Sequence, residues 1–419
     1  MGALVAVALA AQATTAQPSA GPPSSAPLAA TASAEPVSRG TTTYVDLEGG
    51  AGYSTNPSLS IVNPKGAAFG RLSARAVHTR ISDRTTTVLT GFVQGQFYSN
   101  GQNSQKTVNL SASHDARVNE KLRVFGDASL GYDEGGQFDN RVFSAPVVPL
   151  PPGVIQPPIF VVPGGDFFSV TAKTYHASAH AGGQLSLSAR DYLSASSGFD
   201  HFVTKNGGLD TRYTTIPVSL GWDRQLSTRT TVGARLSGSF TNYDGPVNVR
   251  TISPQFTIQT LLSERLSLNG AVGIAFSRTD DGITTRRSTG PSANVALCWR
   301  GENDNMCAHA AIDQQTATAA GPARSVSFGV DYSRRLDANQ TLAFSLSASR
   351  YSNPTLVNTG FSFNRATYLR AAADYSRRIG NRLFAGVSLS ARRVGQSGPD
   401  PKSDVSGSLF LRYRLGDIR

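Results

Sequence analysis

Polar and apolar residues alternate with a period of two along almost the whole chain. In residues 86–98, Leu89, Gly91, Val93 and Phe97 take one parity, and Thr90, Phe92, Gln94 and Gln96 take the other. Residues 266–276 repeat the pattern, with Leu266, Leu268, Val272, Ile274 and Phe276 set against Ser267, Asn269, Gly273 and Ala275. A period of two means extended strands with one apolar and one polar face. Roughly eighteen such stretches follow one another, with no segment of helical period between them. A closed barrel with lipid outside and water inside requires such a series. The expected fold is all-β, a transmembrane antiparallel β-barrel of about 18 strands, or about 16 if two marginal segments fail.

The predicted strands are residues 42–53, 67–81, 85–98, 107–118, 122–132, 175–188, 192–204, 211–223, 230–242, 248–262, 266–278, 288–300, 307–316, 324–334, 341–351, 365–377, 383–393 and 404–415. Their connections alternate in length, as barrels with short periplasmic turns and longer outer loops require. Even-numbered strands end in tight turns such as Ser82-Asp83-Arg84, Asn119-Glu120-Lys121, Ser263-Glu264-Arg265 and Gly380-Asn381-Arg382. The other ends carry longer loops, including residues 54–66, 100–106, 279–287 and 395–402. This agreement favours an even strand count with both barrel ends periplasmic. The loop at 133–174 follows the fifth strand and contains Pro146, Pro149, Pro151, Pro152, Pro157, Pro158 and Pro163. Proline stiffens an extended segment. The loop reads either as an ordinary surface loop or as one folded into the lumen to narrow the bore, as the third loop does in general porins.

At the N-terminus, residues 4–10 form a short apolar run, followed by Ala11-Gln12-Ala13, a small-residue cleavage pattern. Residues 1–13 therefore read as a signal peptide. No Lys or Arg precedes the run, as would be left by a start assigned downstream of the true one. Residues 14–40, rich in Ala, Pro, Ser and Thr, read as a disordered lead-in, and 41–419 as the barrel. Beyond the N-terminus there is no apolar run long enough for a spanning helix, so membrane crossing rests on strands.

Composition refines the picture. Hydrophobic residues make up 39% of the chain, low for a globular enzyme of 419 residues but natural where half of each strand faces water. The formal charge is +11, and 33 of the 39 basic residues are arginine. They are scattered over strand ends and one strand face, without the dense run that nucleic-acid binding favours. Expected partners are outer-membrane lipid, lipopolysaccharide phosphates and the barrel-assembly machinery, with no nucleic acid. The expected location is the outer membrane of a Gram-negative bacterium.

Parity assigns the faces. Leu383, Ala385, Val387, Leu389 and Ala391 form one lipid-facing row, and Val405, Gly407, Leu409, Leu411, Tyr413 and Leu415 another. Tyr53, Tyr132, Trp222, Trp299, Tyr332 and Tyr375 share the outward parity near strand ends, where an interfacial aromatic girdle belongs. The opposite parity carries charge: Asp46, Glu48, Arg71, Arg75, Arg117, Arg123, Asp127, Arg235, Asp331, Arg370, Asp374, Arg392, Arg412 and Arg414. Closing the barrel sets the last strands beside the first two. Pore-lining Arg71, Arg75, Arg370, Arg392, Arg412 and Arg414 then share one wall with Asp46, Glu48 and Asp374. Two readings stand open, a charge-paired lining that keeps the lumen wet and rigid, and a basic wall that favours anions.

Cys298 and Cys307 are the only cysteines and flank a predicted periplasmic turn on inward parity. A cross-strand disulfide suits this placement and an oxidising compartment better than a metal site, for which His309 would add only one ligand. His176 and His180 share the inward face, yet on a strand they stand about 13 Å apart, too far for one metal. No nucleophile elbow, zinc-protease helix or phosphate-binding glycine loop occurs, so neither a catalytic site nor a cofactor is expected.

The segment Gly50-Ala51-Gly52-Tyr53-Ser54-Thr55-Asn56-Pro57 resembles the opening of β-barrel porins associated with exopolysaccharide or exosortase systems in proteobacteria, in which a G-Y-x-x-N-P segment ends the first strand. The Cys298–Cys307 hairpin is similar to a feature of sphingomonad members. The resemblance spans about 41–419 and implies an outer-membrane barrel serving polysaccharide secretion, with export components as partners. It supplies no catalytic residues. The chain departs from such barrels in ending Leu415-Gly416-Asp417-Ile418-Arg419 where an aromatic residue is usual; either Tyr413 takes that role or the tail is a periplasmic extension. The expected function is a channel for small or anionic solutes. The alternatives are a plugged docking barrel and an outer-membrane hydrolase.

Overall fold

The computed structural model describes residues 40–59, 64–101, 104–134, 173–205, 210–318, 321–352, 365–396 and 402–417. Eighteen strands occupy them: β1 (Gly40–Ser54), β2 (Ala67–Ile81), β3 (Thr85–Tyr98), β4 (Gln105–Arg117), β5 (Leu122–Glu134), β6 (Lys173–Ser186), β7 (Asp191–Lys205), β8 (Thr211–Gln225), β9 (Thr230–Tyr243), β10 (Asn248–Leu261), β11 (Leu266–Asp280), β12 (Thr285–Arg300), β13 (Asp304–Thr318), β14 (Gly321–Arg335), β15 (Gln340–Ser352), β16 (Arg365–Arg378), β17 (Leu383–Gln396) and β18 (Lys402–Gly416). Each strand pairs antiparallel with its neighbours in sequence, and β18 pairs with β1, so the sheet has no free edge. The count is eighteen rather than sixteen. Several strands outrun their sequence-predicted bounds, β12 beginning at Thr285 instead of residue 288, because ladder hydrogen bonds continue into polar rim residues. The predicted signal peptide and nearly all of the lead-in and the proline-rich loop (residues 1–39 and 135–172) lie outside the described residues.

The tight turns have a common local cause. Ser82, Ser188, Ser227 and Ser263 each place a side-chain oxygen 3.0–3.1 Å from the backbone N–H three residues on. Asn119 does the same for Leu122 N at 2.8 Å, and Asp337 Oδ1 accepts from Asn339 N at 2.6 Å. A short polar side chain that bonds the backbone just ahead stabilises a reversal, hence Ser, Asn or Asp at these places. The opposite rim has all the long connections, 55–66, 135–172 and 353–364 among them, so the tight-turn rim is periplasmic and the loop rim external. The expected longer loop at 279–287 is only 281–284, because β11 and β12 continue pairing into it, and β9–β10 and β13–β14 are joined as briefly.

Following cross-strand partners once around the cylinder ends roughly 20 residues from the starting point on β1, so the strands tilt by about 40°. At strand spacings near 4.8 Å the backbone cylinder is then roughly 35 Å across. Its lining side chains alone cannot span that width.

The two faces separate as parity requires. Leu72, Leu110, Leu130, Leu220, Phe256, Val272, Leu389, Leu409 and Leu411 are exposed on the outside. Tyr53, Trp222 and Tyr413 are exposed near the strand ends of that face. Inside, hydroxyls pair directly across strands: Ser129 with Ser178, Thr215 with Thr241, Ser277 with Ser288, and Ser390 with Ser406, all at 2.7–2.9 Å. Such pairs satisfy polar groups without a buried apolar core. No described helix is long and apolar enough to cross a membrane; the crossing elements are strands.

Candidate functional site on the lumen wall

The richest chemistry lies where the barrel closes, on the inner faces of β16, β17, β18, β1 and β2. Near the periplasmic rim, Arg414 of β18 donates from Nε and Nη2 to the two carboxylate oxygens of Asp46 on β1, both at 2.7 Å. Cross-strand register fixes this pair, since Asp46 opposes Arg414 on one side and Arg75 of β2 on the other. The Arg414 guanidinium also stacks 4.1 Å from the Tyr44 ring centroid. One pleat outward, Arg412 opposes Glu48 and lies 4.7 Å from the Phe384 ring. Its relative exposure is 0%, and none of its three guanidinium nitrogens makes a hydrogen bond with the described residues. Glu48 instead accepts from Arg71 Nη2 at 2.9 Å.

Near the external rim the strip ends in a clasp. Asp404, at the start of β18, accepts from Ser54 Oγ at 2.7 Å and from the backbone N–H of Asn56 at 2.8 Å. Its second oxygen receives Arg392 Nε and Nη2 of β17, each at 3.1 Å. Arg392 also donates to the Pro57 carbonyl at 3.0 Å, and Asn56 Nδ2 to the Ser403 carbonyl at 3.2 Å. These contacts explain the segment that ends the first strand: each residue from Ser54 to Pro57 bonds to β17 or β18. Gly52 belongs to the same fit, because a Cβ there would run into the Gly407 carbonyl and the Phe69 ring.

The predicted wall residues are thus brought together, in a strip about 27 Å long from Asp46 to Ser54 measured along β1. Arg370 opposes Arg392 across β16 and β17, and Asp374 is buried on the same inner face. Asp404, the carboxylate that holds most of the outer clasp, is absent from the sequence-level candidates. Its parity with Arg412 and Arg414 puts it on the inner face, but it falls at a predicted strand end, where parity no longer separates a wall carboxylate from a rim one.

A second cluster joins β5, β6 and β7. His180 is within 3.0 Å of Asp127 at Nδ1 and 3.3 Å of Asp200 at Nε2. His176 Nε2 is 4.0 Å from the same Asp200. The two histidines are too far apart along β6 for a shared metal; a carboxylate on the adjoining strand links them instead. His176 is followed by Phe202, Tyr213 and Tyr243 in a run of neighbouring rings 4.3–5.4 Å apart. Tyr213 and Tyr243 pack with Val247 and Val249 in a buried apolar patch on the inner face. Among the described residues no group of three or more His, Cys, Asp or Glu is arranged to hold a metal ion.

Cys298 and Cys307 are bonded, as direct cross-strand partners on β12 and β13 with Cα atoms 4.1 Å apart. His309 faces Asp331 at 3.8 Å. The bond closes a loop of only nine residues that the ladder already closes. Replacing both cysteines with alanine is expected to lower unfolding stability by no more than about 2–3 kcal/mol and to leave the folded band on unheated SDS gels in place. Loss of that band would assign the disulfide a role in assembly.

No protein-family model matches the chain, and no curated protein sequence is similar to it. Among solved structures it is similar to the FrpB iron transporter of Neisseria meningitidis, at 9% identity over 90% of this chain and 83% of that chain, with a TM-score of 0.44. It is similar to OccK2 (OpdF) of Pseudomonas aeruginosa in complex with glucuronate, at 10% identity over 90% and 98% of the two chains, with a TM-score of 0.44. OpdQ of Pseudomonas aeruginosa stands at 11% identity, 90% and 100% coverage and a TM-score of 0.42. At these values nothing about cargo passes from them to this chain. Its own closed cylinder of eighteen strands, apolar outside and polar inside, is that of an outer-membrane β-barrel of a Gram-negative bacterium.

Proposed function

We propose that this barrel is a passive outer-membrane channel whose closing seam biases passage toward anions. The observation that carries the reading is the charge balance of the strip. Six arginines (Arg71, Arg75, Arg370, Arg392, Arg412 and Arg414) stand among four carboxylates (Asp46, Glu48, Asp374 and Asp404), all on the inner face. The fixed excess of positive charge attracts anions, and the serine and threonine lining replaces part of a solute's hydration. No chemical step is required. Export of an anionic saccharide, implied by the first-strand resemblance, is the form of this reading in which the cargo is large and partners drive it.

Single-channel conductance of the refolded protein under a salt gradient tests the proposal. Open steps with a reversal potential on the anion side are expected. Arg75 is the chosen probe because it flanks the Asp46–Arg414 pair without being the carboxylate's two-pronged partner. Arg75→Gln should reduce the anion-to-cation permeability ratio by up to about fivefold at low salt, and by less at high salt. Cation preference in the unaltered protein would sink the reading. The apolar patch of Tyr213, Tyr243, Val247 and Val249 favours a second reading, a docking barrel plugged by residues 133–174. Under it, the intact protein is silent and conducts once residues 136–171 are deleted.

A further inference from the structure

Three arginines stand side by side on the outside of the cylinder. Arg250 of β10, Arg278 of β11 and Arg287 of β12 are direct cross-strand partners, in one row across three strands. Neighbours in such a row are about 5 Å apart. All three side chains are exposed and share the parity of the lipid-facing columns that hold Ile252, Phe276 and Val295. The row lies one pleat, about 7 Å, beyond Ile252 and Phe276 toward the external rim. On β9 the cross-strand neighbour of Arg250 is the exposed Phe240. The arginines therefore sit where the apolar belt ends and headgroups begin.

Like charges set directly opposite one another repel. The described residues do little to relieve that repulsion. Arg278 reaches Asp280 only at 3.9 Å, with both side chains about half exposed, and neither Arg250 nor Arg287 makes a side-chain hydrogen bond or ion pair with a described residue. At the periplasmic rim, by contrast, Arg224 faces Asp191 at 4.0 Å, Arg265 faces Glu302 at 3.6 Å and Arg334 faces Asp304 at 3.5 Å. The planar guanidinium fork matches a phosphate with two parallel hydrogen bonds. Three forks in a row above an apolar belt complement a lipid that carries more than one phosphate on a rigid saccharide headgroup.

We propose that Arg250, Arg278 and Arg287 form a binding site for the phosphate groups of lipopolysaccharide in the outer leaflet. The acyl chains would lie along Ile252, Phe256, Val272, Ile274 and Phe276. The site is separate from the lumen and does not depend on what the channel carries.

The test uses the full-length protein in detergent micelles, with lipopolysaccharide binding followed by native mass spectrometry. Two arms carry it. Arg250→Gln, Arg278→Gln and Arg287→Gln combined should weaken binding about tenfold or more, whereas Arg224→Gln with Arg334→Gln at the other rim should leave it unchanged. Lipopolysaccharide stripped of its lipid phosphates should bind the unaltered protein about tenfold more weakly. That arm needs no variant, so it decides even if the triple variant does not fold. Unchanged affinity in either arm overturns the proposal. Equal, arginine-dependent binding of phosphatidylglycerol would also overturn it, by making the row a general contact for anionic lipid.

Discussion

Asp46→Asn is expected to destabilise the barrel by about 3–5 kcal/mol, among the largest effects of any single substitution here. Asp46 is 1% exposed and takes both hydrogen bonds of Arg414, itself nearly buried, at 2.7 Å. Arg75 opposes it on β2, and its charge also reaches the fully buried Arg412. Removing that charge leaves three guanidiniums together; Glu48 opposes only Arg412 across the seam and already binds Arg71. Taking one partner from a buried pair exposes the desolvation penalty of the other, which the pair had offset. Urea unfolding followed by tryptophan fluorescence, with the folded band on unheated SDS gels as a second readout, measures the loss. Adding Arg414→Gln to Asp46→Asn should recover part of it, because the double variant no longer buries the stranded charge. A loss below about 1 kcal/mol would mean that lumen water screens the pair as it screens a surface ion pair.

Much of this was legible in the sequence because a barrel writes its structure in a short period. Leu409, Leu411 and Tyr413 alternate with Phe410, Arg412 and Arg414, and the structure turns the first set to lipid and buries the second. A slip of one residue would send Arg412 and Arg414 into lipid, so the pattern constrains register as well as face. Closure was legible for the same reason. An even strand count sets β18 against β1, and the Asp46–Arg414 and Glu48–Arg412 oppositions follow from parity plus one register. The contacts within each face were less legible. Asp200 lies between two histidines only because β7 is shifted against β6 by a particular stagger, and stagger leaves no trace in period two. The row of Arg250, Arg278 and Arg287 has the same origin: the three positions look unrelated until two registers align them.

The seam also shows why the first-strand segment has the residues it has. A barrel closes by pairing its first and last strands, the ladder with the greatest separation in sequence. Hydrophobic contacts with lipid cannot choose between registers two residues apart, because such a slip keeps every side chain on its face and lipid accepts any apolar row equally well. Polar groups on the inner face can choose, since a wrong register strands a charge. The Asp46–Arg414 pair does this near the periplasmic rim and the Asp404 clasp near the external rim. Beyond the last strand, Thr43 N donates to Asp417 Oδ2 at 2.7 Å and adds a third fixed point.

Asp404→Ala should therefore loosen the external half of the seam and cost about 3–5 kcal/mol, comparable to the loss at Asp46 but different in kind. Four groups lose an acceptor at once: the Ser54 and Thr55 hydroxyls, the Asn56 backbone N–H and the Arg392 guanidinium. Ser54 and Asn56 are buried, so water does not readily replace what is lost. Asp404→Asn separates the two contributions. Its amide oxygen can still accept from Ser54 and Asn56, but it offers Arg392 no charge, so about half of the loss should return. Hydrogen exchange locates the effect. Thr55 N donates to the Val405 carbonyl and Val405 N to Thr55 Oγ1, both at 2.9 Å. Both amides should lose protection in Asp404→Ala, while Leu415 and Val45 near the periplasmic pair keep theirs. Uniform loss of protection along β1 and β18 would show that the seam opens as one unit, so that the two ends do not hold the register separately.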